Sequence, residues 1–303
     1  MSFAALLCFA LILDAVLGEP DEVWSRIPHP AVLMGRAVGW VDRKMNHGKG
    51  RIVTGAVALG GLIVVVGGIA WGLAQIGWLV EIVVAAVLLA HRSLVDHVRD
   101  VADALVESTE GGRRVVAKIV GRDTATMDDE DIARAAIESA AENFADGVVA
   151  PAFWFLIAGL PGIAIYKLVN TADSMIGYRT PRHEAFGKAA ARLDDLLNWV
   201  PARITAVLIF ALNHRPRGWA LIRQDAPLHR SPNAGWPEAA MAVSLDVALA
   251  GPRSYEGEVR DYPFVNAPGD RDPSANDIDR AVSVLWRAWT GLLVLSFIIA
   301  VVW

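Results

Sequence analysis

Apolar residues in this chain come in long blocks, not in the alternation of half-buried strands or the narrow stripes of surface helices. From Ile52 to Ala90 the only charge is Glu81. One bilayer crossing takes about 20 residues at about 1.5 Å each. The block therefore predicts two spans, near 52–72 and 77–95, that turn at Gln75-Ile76-Gly77 with Trp71 and Trp78 at the interface. Residues 1–18 form a first apolar helix interrupted by Asp14. With no basic start, it reads as a retained helix and not a cleaved signal. Residues 147–168 are free of charge until Lys167 but are broken by Gly159-Leu160-Pro161-Gly162, and residues 196–213 and 284–303 complete the apolar segments.

The basic residues set the expected sidedness. Arg26, Arg36, Arg43, Lys44, Lys49 and Arg51 precede the Ile52 block, and Arg92, Arg99, Arg113, Arg114, Lys118 and Arg122 follow it. By the positive-inside rule both flanks are cytoplasmic. A single crossing at 147–168 would put Arg179, Arg182, Lys188 and Arg192 outside. The Gly-Leu-Pro-Gly break is therefore read as a re-entrant or hairpin turn, which requires burial in protein or a cavity. The expected fold is mainly α: one integral membrane domain over residues 1–303, a polytopic bundle with broken or re-entrant helices and a cytoplasmic-facing polar cavity. Polar segments 92–146 and 214–283 are expected on the cytoplasmic side. Asp128-Asp129-Glu130-Asp131 should start a helix, where acids favour the dipole. Pro237 should lie in the first turn of a helix over 239–249, and residues 255–276 read as a loop.

Composition agrees. Residues are 54% hydrophobic and 20% charged, more apolar than the roughly 45–50% of soluble domains. A net charge of -5 gives no general attraction to nucleic acid. The single cysteine, Cys8, excludes an intrachain disulfide and a multi-cysteine metal site. Walker, dinucleotide-binding, His-Glu-x-x-His and Gly-x-Ser-x-Gly motifs are missing.

Polar residues recur where the apolar blocks meet. Glu138, Glu142 and Asp146 are spaced by four, with Asn143 beside them. On one helix face they repel one another and would welcome a cation; the plainer alternative is a solvated acidic face. Asn170, Asp173 and Ser174 follow the broken segment, with Lys167 before them and Arg179 after. A carboxylate at such depth costs about 2.5–3.5 kcal/mol unless paired or hydrated, so function is favoured over structural glue. Asp194, Asp195 and Asn198, with Arg192 and Arg203 on either side, offer hard oxygens of the kind magnesium takes together with substrate phosphates. His29, held between two prolines, and the loop Ser231-Pro232-Asn233-Ala234-Gly235-Trp236-Pro237-Glu238 complete the candidates.

Several of these stretches together resemble the cobinamide-phosphate synthase (CobD/CbiB) family of cobalamin biosynthesis. They are Glu142 to Pro151, Asn170 to Met175, Ala191 to Asn198 and Ser231 to Trp236, with Leu17-Gly18-Glu19-Pro20 and His29-Pro30 near the start. Glu19 stands where the family is expected to carry aspartate, and Ala31 where it carries valine. The resemblance implies a multi-pass protein of the bacterial inner membrane whose active site faces the cytoplasm. It implies amide formation between adenosylcobyric acid, a corrinoid, and (R)-1-amino-2-propanol or its phosphate, with ATP and Mg2+. A homo-oligomer or association with other enzymes of the pathway is compatible with it.

On that reading Asp194, Asp195 and Asn198 are the metal candidates. Glu142 and Asp173 are the candidates to orient the amine and accept its proton. Lys167, Arg179, Arg192 and Arg203 would meet phosphate charge. His29, Asn143, Asp146, Asn170, Ser174, Ser231, Asn233 and Trp236 would contact substrate. A transporter of a polar or amphipathic substrate is the alternative, because broken apolar helices with intramembrane acids also suit a permeation path.

Overall fold

The computed structural model describes residues 1–213, 218–255 and 258–302. Parts of three expectations therefore lie outside the described residues: 214–217 of the second polar segment, 256–257 of the loop and 303 of the last span. In chain order the helices are α1 Phe3–Leu17, α2 Asp21–Trp24, α3 Pro30–Met45, α4 Arg51–Ala74, α5 Trp78–Leu88, α6 His91–Glu107, α7 Thr109–Val116 and α8 Asp129–Phe144. They continue with α9 Ala150–Ile176, α10 Lys188–Leu212, α11 Gly218–Asp225, α12 Gly235–Leu245 and α13 Ala275–Val302. Four short strands, β1 Leu249–Ala250, β2 Arg253–Tyr255, β3 Glu258–Arg260 and β4 Phe264–Val265, pair antiparallel as β1–β4 and β2–β3.

The mainly α, polytopic expectation holds. Among the described residues, five helical segments are long and apolar enough to cross a membrane, and α1 is a shorter apolar helix. The predicted turn at Gln75-Ile76-Gly77 separates α4 from α5, and Asp128 accepts the Asp131 N–H as the N-cap of α8. Two details differ. The helix expected over 239–249 starts at Gly235 and ends at Leu245, because Asp246 takes the left-handed conformation (φ 64°) and the chain then enters β1. The 255–276 segment contains β3 and β4 instead of being wholly irregular.

The chain divides into two compact units. The first comprises Met1–Arg92, Ala150–Trp199 and Leu295–Trp303. Here α9 packs against α1, α3, α4 and α5. Its course breaks at Ala158 and Gly159, the latter at φ 59° and ψ -148°, a conformation suited to glycine. The chain then folds back so tightly that a Cβ on Gly162 would lie 2.2 Å from the Trp154 carbonyl oxygen. The Gly-Leu-Pro-Gly sequence therefore makes a bend whose arms meet at a residue with no side chain.

Asp14, which interrupts the first apolar segment, lies buried and accepts the backbone N–H of His91 at 3.0 Å. It thus caps the start of α6 from another helix, where a negative group also suits the dipole. In the second unit, Ser93–Val149 and Val200–Val294, α12 packs on α8 and α11. Its core includes Ile132, Ile137, Phe144, Met241 and Leu245.

The bend makes a testable demand. Gly162→Ala should lower thermal stability by several kcal/mol or prevent folding, since a carbonyl occupies the new methyl's place. The same change at exposed Gly60, which has nothing within 4 Å, should be neutral or stabilising. Melting of the two purified variants checks both signs.

Candidate functional site

Each unit gathers its own set of the predicted residues. In the first, a hydrogen-bonded cluster links α9 and α10. The Tyr166 hydroxyl donates to Asn198 Oδ1 at 2.9 Å, and Asn198 Nδ2 donates to Asp194 Oδ2 at 3.0 Å. Asn170 Nδ2 donates to Asp194 Oδ1 at 3.3 Å. Tyr166, Asp194 and Asn198 are buried. The spacing of four between Asp194 and Asn198 places them on one face of α10. Asp173 and Asp195 lie within electrostatic reach of Asp194 and of each other, and Arg179 acts on Asp195.

Asp173 has its own local requirement: a Cβ at Gly177 would fall 1.9 Å from Asp173 Oδ1, so the carboxylate lies against glycine backbone at the end of α9. The three carboxylates of Asp173, Asp194 and Asp195 repel one another, and the two Asn amides offset this at Asp194 by donating to its two oxygens. Among the described residues, no group of three or more His, Cys, Asp or Glu side chains is placed to hold a metal ion.

Other candidates of this unit are arranged differently. Lys167 is half-buried and within electrostatic reach of Asp14, while Ser174, Arg179 and Arg192 are exposed. His29 uses both ring nitrogens on backbone. Nδ1 accepts from the Ala31 N–H at 3.2 Å, capping α3, and Nε2 lies 3.1 Å from the Val87 carbonyl. Its ring packs edge-on to Trp24. In this arrangement it ties α3 to α5.

In the second unit, the predicted row Glu138, Glu142, Asp146 separates into three environments. Glu138 is buried, Glu142 exposed and Asp146 half-buried. The helix widens into a π turn over Ala145–Val149, so Asp146 leaves the spacing-of-four row. Asn143, also exposed, donates back to the Ser139 carbonyl.

No outside cation is needed for Glu138. Arg122 lies 2.8 Å from its Oε2, Arg253 3.2 Å from the same atom, and the Ala250 N–H donates to Oε1 at 2.8 Å. Arg122 and Arg253 were not among the sequence candidates. A buried acid at 138 signals that cations must be found, but not that they come from a loop sixteen residues upstream and a strand far downstream.

The loop candidates converge with one another. Arg203 of α10 donates to Asn233 Oδ1 at 3.2 Å and stacks 4.9 Å from the Trp236 ring centre. The Ser231 hydroxyl accepts the N–H groups of Asn233 and Ala234, both at 3.2 Å. Beside this loop stands His229, which sequence reasoning missed, and sequence reasoning gave the loop's last residue, Glu238, no role of its own. His229 Nδ1 accepts the Ser231 N–H at 3.0 Å, and its Nε2 lies 3.7 Å from Glu238 Oε2. Glu238 Oε1 is buried with no hydrogen-bond partner among the described residues. Burial, reinforced by the charge of Glu138, pushes the Glu238 carboxyl well above the usual carboxylate range. Burial and the nearby Arg253 push the His229 imidazole down.

The two glutamates should therefore respond oppositely to the same substitution. Glu138→Gln strands two guanidiniums in a closed site and should cost roughly 3 kcal/mol, read as a lower melting temperature. Glu238→Gln replaces a group that keeps its proton and should fold as wild type near pH 5. A carboxyl whose folded pKa is raised binds more protons folded than unfolded once pH exceeds about 4.3. Wild type should accordingly lose stability relative to Glu238→Gln as pH rises from 5 to 8.

Residues 7–285 match the CobD/Cbib protein family. The cobalamin biosynthesis protein CobD of Rhizobium meliloti (strain 1021) is 48% identical over 305 residues, covering 93% of this chain and 92% of that protein. A protein of the same name from Sinorhizobium sp is 46% identical over 318 residues, with 98% and 97% covered. That of Rhodobacter capsulatus is 44% identical over 314 residues, with 100% and 99% covered. No solved structure matches. A family match over nearly the whole length, with relatives of almost equal extent, places the sequence motifs in one context: the chain belongs to the CobD/Cbib family.

Proposed function

We propose that this protein acts in cobalamin biosynthesis as an adenosylcobinamide or adenosylcobinamide-phosphate synthase. It joins adenosylcobyric acid to (R)-1-amino-2-propanol or its phosphate, with ATP as co-substrate and Mg2+, at the cytoplasmic face of the inner membrane. The relatives' shared name supports the pathway. The observation that carries the chemistry is the Asp194 carboxylate, buried in an apolar helix yet held by two amide donors with two further carboxylates in electrostatic reach. A buried carboxylate with two others nearby is costly unless their charge is offset, and a bound cation would offset it.

The roles follow from what amide formation requires. A carboxylate is a poor electrophile, so one corrin propionate oxygen attacks the terminal phosphorus of ATP and ADP leaves, giving an acyl phosphate. The amine nitrogen then attacks the acyl carbon, inorganic phosphate leaves, and the amine proton passes to a carboxylate. Asp173 accepts it and orients the nitrogen lone pair. Asp194, Asp195 and Asn198 would hold Mg2+, whose bound charge offsets that of the phosphates. Lys167, Arg179 and Arg192 add positive charge that matters most as the phosphates become more negative.

Mass spectrometry of products from the purified protein, given adenosylcobyric acid, Mg-ATP and each amine, tests this. An amide product with one amine is expected. Asp194→Ala should lower turnover at least a hundredfold, and Asp173→Asn at least tenfold, in variants that melt as wild type. No product with either amine, or corrinoid flux across proteoliposomes without covalent change, overturns the reading in favour of transport.

A further inference from the structure

Two recesses in the second unit share Ala250 and Arg253 in their linings. They differ in sign. One, of about 350 Å³, mixes Arg122 and Arg134 with Asp123 and Asp131. The other, of about 340 Å³, has among the described residues His229, Arg230 and Arg253 as its charged or protonatable nitrogen-bearing lining, with Tyr262 beside them. Among the described residues, no carboxylate lines it.

The cations of the second recess are held in place. Arg230 and Arg253 each pack on the Tyr262 ring, at 5.3 and 5.6 Å from its centre. Arg253 is further fixed by Glu138, which also takes Arg122. His229 is oriented by the Ser231 N–H at Nδ1, so its neutral tautomer carries a proton at Nε2. Behind it the buried Glu238 keeps one oxygen without a hydrogen-bond partner among the described residues. Guanidinium forks fixed on an aromatic ring are preorganised for the oxygens of a tetrahedral anion, and two of them suit a doubly charged group better than one carboxylate.

We propose that the recess of His229, Arg230, Arg253 and Tyr262 is a phosphate-binding site, which takes a phosphomonoester or the terminal phosphate of a polyphosphate. None of its four residues was among the sequence candidates. The choice of these two phosphate sources rests on the synthase reading; the anion site itself rests on the lining.

Equilibrium binding to the full-length protein in lipid nanodiscs tests the site without turnover. The probes are inorganic phosphate, O-phosphoethanolamine and ethanolamine. Saturable binding of the first two and none of the third is expected. Arg230→Gln, at an exposed position whose loss should not unfold the chain, and Arg253→Gln should each weaken phosphate binding at least tenfold. Arg223→Gln, exposed on α11 and away from the lining, should leave it unchanged. Competition then separates the sources: displacement by O-phosphoethanolamine alone assigns the recess to a phosphomonoester, and displacement by a non-hydrolysable ATP analogue alone to a nucleotide.

Absence of saturable phosphate binding, or equal affinity in wild type and both arginine variants, overturns the site. Arginine-dependent binding with no amide product would uphold the site and sink the synthase reading. Amide synthesis with arginine-independent binding would do the reverse.

Discussion

A charged or amide side chain set among apolar helices must find partners inside the protein, because lipid offers none. The polar residues of the first unit's helices follow from that demand. Asp14 caps a neighbouring helix, Asn198 links Tyr166 to Asp194, and Asn170 occupies the remaining oxygen of Asp194. Each side chain costs desolvation that its partners return only while the helices stay in register. The cluster therefore couples chemistry to packing: the groups proposed to meet metal and substrate also fix where α9 and α10 lie.

Glycine works as the complement of these polar groups. The bend in α9 closes on Gly162, and Asp173 lies against Gly177. At both places an oxygen occupies the space a methyl would need. A backbone carbonyl or a carboxylate can approach another segment this closely only where that segment carries no side chain. The Gly-Leu-Pro-Gly sequence and the glycine after Ile176 are thus part of the site's construction and not merely breaks in hydropathy.

Much of this was legible in the chain because long apolar blocks and their breaks obey few rules. The spans, the turn at residues 75–77 and the cap at Asp128 follow from local pattern alone. Asp194 and Asn198 could be paired from spacing. What could not be read was anything decided by distant segments. Glu138 shows a regular spacing with Glu142 and Asp146, yet its environment is set by Arg122 and Arg253, and the π turn after Ala145 ends the row. His29 stands between prolines as an active-site histidine could, but its ring nitrogens go to the backbone of α3 and of α5. His229 carries no local signal and Glu238 only its place in the candidate loop, since neither spacing nor composition reveals that a loop imidazole meets a helix carboxyl.

The loop after α12 is built with very little regular hydrogen bonding, its strands being two or three residues long. Its rings supply another kind of order. Tyr262 carries Arg230 and Arg253, and Phe264 carries Arg134 and Arg271 at 5.7 and 4.7 Å. Such contacts draw on the quadrupole of the ring. The conformation of this segment thus answers in part to the π-electron density of two aromatic residues: a ring of similar electron richness could replace either one, whereas an aliphatic side chain of equal bulk would fill the space and leave Arg253 held by Glu138 and Arg134 by Asp131.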